Sequence, residues 1–399
     1  MKSPNRDYIP ELDQLRAFAA VLVLFYHTVH TGRAAIGADQ WPQGNLLSSL
    51  LYEGHTGVAL FMVLSGFVLA RGALGVPLDY SQFIRNRALR ILPLMTFVVV
   101  FAVYGNTDVT LSGIIAPFLF LSNTTPRLFS DVTNLSGTVW TIAIEFQFYL
   151  IAPFLFAFVA QRGIRYLLAL MAFAWIARMI VLAAHWGNAL DLYMISYYTI
   201  VGRLNQFMIG IGLAYLWPQI ETSLGRHRLL VLGGSLAAAI ALCFVVNRGG
   251  GQGTWHPWMV VYRELEALAW AGVIAGFVMV RPLQSWRLST FATRVGVISF
   301  SIYILHWPLE QLFWKLVVAK NLAPSTSSLW ILLIYSLALL PAVLFVSWLS
   351  YTAVERPFLE MRRRYVRAPA SVVELPREAA HARRIPHDYI VEDGRSIRP

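Results

Sequence analysis

Residues 11–27 read ELDQLRAFAAVLVLFYH and belong to an apolar run that covers roughly residues 14–32. A helix that crosses a bilayer needs about 20 predominantly apolar residues, so this run predicts a transmembrane helix. The same run contains Arg16 and His27. Ionisable side chains are expensive in hydrocarbon and are functional hypotheses by default. This one stretch therefore predicts a membrane protein and also indicates where its function should be sought.

The composition of the whole chain agrees with a membrane protein. Of its 399 residues, 57% are hydrophobic and 13% are charged, and the mean hydropathy is +0.58. Soluble globular proteins carry about 25% charged residues, so an ordinary soluble enzyme is excluded. The net charge of +11 is better explained by membrane topology than by nucleic-acid binding, because Lys and Arg collect on cytoplasmic loops. We expect membrane lipids, and no nucleic acid, around this protein.

Further apolar runs predict an all-α polytopic membrane protein with about ten transmembrane helices. The ten runs are roughly 14–32, 54–72, 91–105, 138–160, 166–186, 199–217, 229–247, 265–281, 296–318 and 328–350. An additional stretch, SGIIAPFLFLS at 112–122, is apolar but too short to cross a bilayer. We interpret this stretch as a re-entrant or interfacial segment.

Positive charges orient the predicted helices. With the N-terminus inside, the inner segments before residue 351 hold fourteen Lys and Arg residues against five in the outer loops. This bias predicts that both termini are cytoplasmic. We expect residues 1–355 to form one transmembrane domain. Residues 356–399 are polar and rich in mixed charge, which predicts a disordered cytoplasmic tail.

Two histidines lie at equivalent depths in the predicted helices. His27 follows Arg16 by eleven residues, a rise of about 16 Å along a helix, and His306 follows Arg294 by twelve. Two histidines at one depth can face one cavity, where a neutral imidazole takes a proton from a hydroxyl group. The spacing alone leaves open that each ring is simply hydrogen-bonded to a neighbouring helix.

Other polar groups also lie in apolar surroundings. Glu145 interrupts the fourth run and needs a partner, so it is a candidate to orient a histidine, to bind a sugar hydroxyl or to pair with Arg203. Arg203, Asn205 and Gln206 fall within one and a half helical turns and indicate a water-lined face. A location near the outer surface would make this second group unremarkable.

Three arginines follow the second run in the sequence RNRALR, namely Arg85, Arg87 and Arg90. Clustered guanidinium groups bind phosphates, so the cluster predicts a site for a phosphorylated ligand. Anionic lipid headgroups and plain topological bias are the alternatives. The sequence lacks a G-x-x-x-x-G-K-[ST] motif and an H-E-x-x-H motif, and it has a single cysteine, Cys243. We therefore expect neither a metal nor a nucleotide-driven motor.

Six blocks of this sequence, in order, resemble the signatures of the acyltransferase-3 family of bacterial membrane acyltransferases. They are ELDQLRAFAAVLVLFYH with its R-x10-H pair, FMVLSGFVL, RNRALRILP with Arg87 and Arg90, GTVWTIAIEFQFY with Trp140 and Glu145, FSIYILHWPL and TAVERPF. The resemblance extends from about Tyr8 to Leu359. Each block alone is weakly specific, whereas six in the right order are strongly specific.

The resemblance implies an enzyme of the bacterial inner membrane that moves an acyl group, usually acetyl, from coenzyme A to a hydroxyl group. The acceptor is usually a carbohydrate of a surface polysaccharide, lipopolysaccharide or glycolipid. On this hypothesis His27 is the general base, and Glu145 or His306 orients the base or the acceptor. We expect acyl-CoA to bind Arg16, Arg85, Arg87 and Arg90, and the acceptor to bind Trp140, Arg203 and Asn205.

Several alternatives remain at this level. The acyl group could pass directly to the acceptor or through an acyl-histidine. Intramembrane His, Glu and Arg side chains would also suit a secondary transporter or a polysaccharide flippase, although no inverted repeat is evident in the sequence. A sensor or scaffold would have no use for these groups. The acceptor's identity and any protein partner, including a second copy of the chain, stay open.

Overall fold

The computed structural model describes residues 8–38, 40–105, 110–124, 137–282 and 287–366. Within these ranges the chain is helical and has no β-strand, apart from an isolated bridge between Leu78 and Val366. The helices are α1 (Pro10–Ala35), α2 (Leu46–Tyr52), α3 (Thr56–Arg71), α4 (Tyr80–Gly105), α5 (Leu111–Phe118), α6 (Val139–Arg162), α7 (Ile164–Ala184), α8 (Ala189–Tyr198), α9 (Ile200–Tyr215), α10 (Trp217–Leu224), α11 (Arg228–Arg248), α12 (Met259–Val280), α13 (Arg287–Val297), α14 (Ser299–Ala319), α15 (Leu329–Ser350) and α16 (Arg356–Glu360).

The predicted all-helical, multi-span architecture is confirmed, but the predicted number of spans is not. Among the described residues, six helical stretches are long and apolar enough to cross a membrane. Two bent pairs, α2 with α3 and α13 with α14, raise the number to eight if each pair is one span. Which face of the membrane each end of the bundle occupies stays a prediction.

Two predicted runs account for the difference from ten. The run at 199–217 forms α9, which has only 16 residues and is short for a span. The run at 265–281 forms α12, whose first half carries Arg263, Glu264 and Glu266. These charges lower the hydropathy of α12 and give it a second role as the wall of a buried ionic network.

Helix α1 is the central helix of the bundle. Pro10 stands in its first turn, where proline is favoured, and Glu11 and Asp13 add acidic groups at the positive end of the helix dipole. Side chains on most of its surface are buried, and α1 packs against α2, α3, α12, α13, α14 and α15. The apolar run that predicts the membrane character therefore also forms the core of the fold.

A very close helix crossing joins α3 to α9. A Cβ atom on Gly66 would lie 2.1 Å from the Phe207 carbonyl oxygen, and one on Gly210 would lie 2.2 Å from the Val63 carbonyl oxygen. The two backbones are thus in direct contact, as small residues allow in membrane helices. This crossing fixes the position of α3, which lines the candidate site.

The last span ends in a feature that reverses the chain. After α15, residues Tyr351–Glu355 form a π-helical turn, and Glu355 is buried and accepts a hydrogen bond from the Ser301 hydroxyl. The structure differs here from the predicted tail, because 356–366 form α16 and an extended segment that packs on α4. The rest of the predicted tail, 367–399, lies outside the described residues.

The α3–α9 crossing yields a stability prediction. Gly66→Ala places a methyl group against a backbone carbonyl that cannot move aside, which should cost about 1–3 kcal/mol of unfolding free energy. Gly233→Ala is the control, because Gly233 is an exposed residue of α11 with open space around it. We expect a lower melting temperature for Gly66→Ala in detergent and no loss for Gly233→Ala. Equal melting temperatures would contradict the direct backbone contact.

Candidate active site

A pair of histidines joins α1 to α14 in the interior of the bundle. His27 Nδ1 lies 2.9 Å from His306 Nε2, and the two rings stack with centroids 5.0 Å apart. His306 is fully buried, whereas His27 is half-buried. The structure thus brings together the two histidines that the sequence places at one depth.

The hydrogen bonds around the neutral pair define which nitrogen carries which proton. The Ile302 carbonyl oxygen lies 3.1 Å from His306 Nδ1 and can only accept, so His306 Nδ1 is the donor. His306 Nε2 then has a lone pair and accepts from His27 Nδ1. The remaining nitrogen, His27 Nε2, is left with a free lone pair, which is what a general base or a nucleophile needs.

Glu310 extends this arrangement by one helical turn. It follows His306 by four residues on the same face of α14, is fully buried and accepts a hydrogen bond from the Thr31 hydroxyl of α1. Its second oxygen has no hydrogen-bond partner. The sequence interpretation missed Glu310, although its spacing from His306 was a usable signal.

Within the part of the chain that the structure describes, His27, His306 and Glu310 form a group that could hold a metal ion, since one ligand atom from each lies within 4.8 Å of the others. However, the two histidine nitrogens in question are bonded to each other, and a metal would have to replace that bond. The hydrogen bond between the rings accounts for the close approach of the two histidines. The expectation that no metal is needed stays a prediction.

A narrow cavity of about 100 Å³ lies between the turn of α14 that precedes His306 and one end of the bundle, and neither histidine lines it. At its inner limit Tyr303 lies one turn from His306, with ring centroids 5.8 Å apart. Ser65 and Glu145 line its middle, and at its other end lie Arg16, Arg87, Arg90 and Arg362. We refer to this end of the bundle as the arginine end.

A second cavity of about 400 Å³ continues outward at the arginine end. It shares Arg16, Val68, Arg90 and Arg362 with the first cavity, so the two are contiguous. Tyr8 and Val366, the first and last described residues, both line it. The two cavities together form a path from the surface of the bundle to the turn below His306.

Three of the four predicted donor-binding arginines line this path. Arg16 pairs with Asp13 at 2.7 Å, Arg87 lies over the Tyr149 ring at 5.6 Å, and Arg90 lies over the Phe300 ring at 5.8 Å.

Arg85 is the exception, because its guanidinium group lines neither cavity and instead donates to the Met361 carbonyl oxygen at 3.4 Å. The reason is helix periodicity. Residues 87 and 90 share one face of α4, whereas residue 85 is about 200° away from residue 87.

Glu145 departs from its predicted position near the histidines. It accepts hydrogen bonds from the Ser65 hydroxyl at 3.1 Å and from the Tyr149 hydroxyl, and it lines the middle of the narrow cavity. The reason is that α6 begins deep in the protein, where a Cβ on Gly137 would touch the Trp307 ring at 2.7 Å. Glu145 therefore lies on the arginine side of His306.

Trp140, Arg203 and Asn205, the predicted acceptor-binding residues, belong to a buried network behind the site. Arg203 donates to the Tyr197 carbonyl at 2.9 Å and lies 3.8 Å from Glu266. Asn205 donates to Glu264 at 2.9 Å.

Trp140 packs against Tyr197 at 5.2 Å, and a chain of ring contacts through His55 and Tyr26 links Tyr197 to His27. Arg203 is paired with Glu266 rather than with Glu145. These three residues therefore support the wall of the site, and direct contact with an acceptor stays a prediction.

Comparisons with known proteins agree with this architecture. A family model described as an acyltransferase domain matches residues 9–352. A protein of Komagataeibacter xylinus named as a membrane-bound transacylase, BcsY, is 26% identical over 90% of this chain and 86% of its own length. The peptidoglycan O-acetyltransferase OatA of Listeria monocytogenes is 27% identical, and the O-acetyltransferase OatA of Staphylococcus aureus is 24% identical, each over 77% of this chain.

This chain spans about half the length of the two OatA proteins, 50% and 51%. No solved structure matches it. The match to the family model covers most of the chain, including both histidines, Arg87 and Arg90. It decides between the enzyme and the transporter interpretations in favour of the enzyme. The chain is a multi-pass membrane protein that belongs to the acyltransferase-3 family.

Proposed function

We propose that this protein is an O-acetyltransferase of the bacterial inner membrane that moves an acetyl group from acetyl-CoA to a hydroxyl group of a carbohydrate. The observation that carries the proposal is the hydrogen-bonded His27–His306 pair, one helical turn beyond the inner limit of a path lined by arginines. Its relatives' names support the acetyl group and, for one of them, a peptidoglycan acceptor.

The shape and charge of the path suit acyl-CoA as the donor. Coenzyme A has anionic phosphates at one end and a thioester at the end of a long, narrow arm. Arg16, Arg87 and Arg90 can bind the phosphates, because guanidinium groups form charge-assisted hydrogen bonds with them. The arm then occupies the narrow cavity past Glu145, and the thioester reaches the histidine pair beyond Tyr303.

The histidine pair supplies the proton chemistry of the transfer. His27 Nε2 takes the proton of the acceptor hydroxyl while the hydroxyl oxygen attacks the thioester carbonyl carbon. The tetrahedral intermediate collapses with cleavage of the carbon–sulfur bond, and the sulfur leaves with the proton from the imidazolium. His306 holds His27 in the required tautomer throughout.

The side of His27 that faces away from the arginine end suits a carbohydrate. The Trp307 ring meets His27 edge-on at 5.1 Å, and the Trp41 ring stacks on His30 at 4.5 Å. Small-molecule sites combine such aromatic surfaces with a few polar groups that fix orientation. The acceptor hydroxyl would thus approach His27 from the opposite end to the donor.

The function is tested directly with the purified protein in lipid nanodiscs, given acetyl-CoA with a labelled acetyl group and a mixture of cell-envelope glycans. Transfer of the label to a glycan, with release of free coenzyme A, supports the proposal. Label that stays on the protein when acceptor is omitted supports an acyl-histidine relay instead of direct transfer. Mass spectrometry of the glycans identifies the acceptor.

The His27–His306 bond yields a kinetic prediction. We expect His27→Ala to lower kcat by about 10²–10⁴-fold, because the general base is lost. His306→Ala should lower kcat by at least about tenfold with little change in the donor KM, because His27 loses the acceptor that fixes its tautomer. Full activity of His27→Ala, at normal expression and melting temperature, would remove the ring from the mechanism.

The arginine end yields a binding prediction. Arg87→Gln combined with Arg90→Gln should raise the KM for acetyl-CoA by about tenfold or more, because two phosphate ligands are lost. The matched control is Arg162→Gln with Arg165→Gln, two arginines at the same spacing that line neither cavity. The same rise in KM for both pairs would show that overall charge, rather than this site, attracts the donor.

The position of Glu145 yields a prediction that separates donor binding from catalysis. Because Glu145 lines the middle of the narrow cavity, away from the histidines, Glu145→Gln should raise the donor KM more than it lowers kcat. Initial rates over a range of acetyl-CoA concentrations give both constants. A large loss of kcat with an unchanged KM would return Glu145 to the catalytic role that the sequence suggests.

A further inference from the structure

The segment 361–366, which follows α16, forms a strap across the arginine end. The Tyr365 carbonyl oxygen accepts a hydrogen bond from the Asp79 backbone N–H at 2.8 Å. The Asn86 side chain donates from Nδ2 to the Arg363 carbonyl oxygen at 2.6 Å and accepts at Oδ1 from the Arg363 backbone N–H at 3.1 Å. The Tyr365 ring is buried against Phe83, with centroids 5.2 Å apart. The strap is therefore fastened to the start of α4 and is not a loose chain end.

The strap places one further guanidinium group in the path. Arg362 is half-buried, lines both cavities beside Arg16 and Arg90, and is held by a hydrogen bond from its Nε to the Leu359 carbonyl at 2.9 Å. Arg363 and Arg364, its neighbours, are exposed and line neither cavity. Of three consecutive arginines, only Arg362 enters the path.

The charges along the path do not balance. Among the described lining residues, the cations are Arg16, Arg71, Arg87, Arg90 and Arg362, and the anions are Asp13 and Glu145. Burial, together with repulsion from Arg90 and Arg87, lowers the pKa of Arg362 to about 10, so it is still protonated at neutral pH. Crowded like charges of this kind are stabilised by a ligand with more than one negative charge.

We propose that Arg362 is a donor-binding residue and that the strap adds it to the phosphate site formed by Arg87 and Arg90. This inference rests on the proposed function, in which the donor is acyl-CoA. It goes beyond the family match, which ends at residue 352. The multiple phosphates of coenzyme A match the excess of guanidinium groups better than the single phosphate of most lipid headgroups does.

The test compares Arg362→Gln with Arg364→Gln in the full chain, reconstituted in nanodiscs. Each variant loses one positive charge from the same strap, but only Arg362 lines the path. We expect Arg362→Gln to raise the KM for acetyl-CoA and the Kd for coenzyme A by about tenfold, with kcat little changed. Arg364→Gln should leave both constants at their wild-type values.

A second variant tests the strap without altering any charge. Tyr365→Ala removes the ring that anchors the strap on Phe83, so it should raise the same Kd while Arg362 is still present. The melting temperature of each variant identifies any general loss of folding. If Arg362→Gln folds normally and binds coenzyme A as tightly as the wild type, the proposal is overturned.

Two further arms separate the remaining explanations. Nanodiscs of phosphatidylcholine are compared with nanodiscs that also contain phosphatidylglycerol. If Arg362→Gln changes the Kd only when the anionic lipid is present, Arg362 binds a lipid headgroup and the proposal is wrong. If the wild type neither binds coenzyme A nor uses acetyl-CoA, the proposed function itself is wrong, and the role of Arg362 falls with it. A wild type that does both, beside an unaffected Arg362→Gln, leaves the function intact and rejects only the role of Arg362.

Discussion

The hydrogen bond between His27 and His306 is the interaction on which the rest of this structure depends. An imidazole without a partner in the interior of a membrane bundle would leave a polar group unsatisfied, at a substantial cost in free energy. Each ring satisfies the other, and the Ile302 carbonyl completes the chain. The same bond couples α1, which touches six other helices, to α14. The hydrogen bonds that the buried rings need for folding thus leave one basic nitrogen, His27 Nε2, without a proton.

The site separates its tasks along the axis of the bundle. Guanidinium groups are gathered at one end, the imidazole pair lies in the interior, and a narrow cavity extends from the guanidinium groups to Tyr303, one turn before His306. In the proposed function, one long substrate is held by its charged end while it reacts at the other. The direct backbone contact at Gly66 and Gly210 supports this geometry, because it prevents α3 from moving away from the cavity that it lines.

The sequence predicts the parts of this site that depend on local spacing and fails where tertiary placement decides. Nearly equal spacings from Arg16 and Arg294 predict that His27 and His306 share a depth, and the clustering of Arg85, Arg87 and Arg90 predicts a phosphate site to which the structure assigns only Arg87 and Arg90. Helix periodicity separates Arg85 from them and joins Glu310 to His306, so both could have been inferred. The position of Glu145 could not, because nothing local shows that α6 begins beside Trp307.

The number of spans illustrates the same limit. Apolar composition predicts the helices correctly as helices, but α9 and α12 are enclosed by neighbours and need not meet the length or charge demands of a lipid-facing helix. The buried charges of α12 are satisfied by Arg203 and by its own Arg263. The sequence analysis did not identify Arg362, because the polar, charged composition of residues 356–399 predicts a disordered tail and gives no sign of the surface on which its first residues pack.

The π-helical turn at Tyr351–Glu355 has a consequence for how the chain tolerates insertions and deletions. A π turn holds one residue more than an α turn, so it rotates everything that follows by about 100° about the helix axis. This rotational offset lets Glu355 face Ser301 while the next residues turn back over α4. Loss of a single residue here would preserve an unbroken α-helix and yet point Arg362 in a different direction. The extra residue of this one turn therefore sets the direction of Arg362 relative to the cavities.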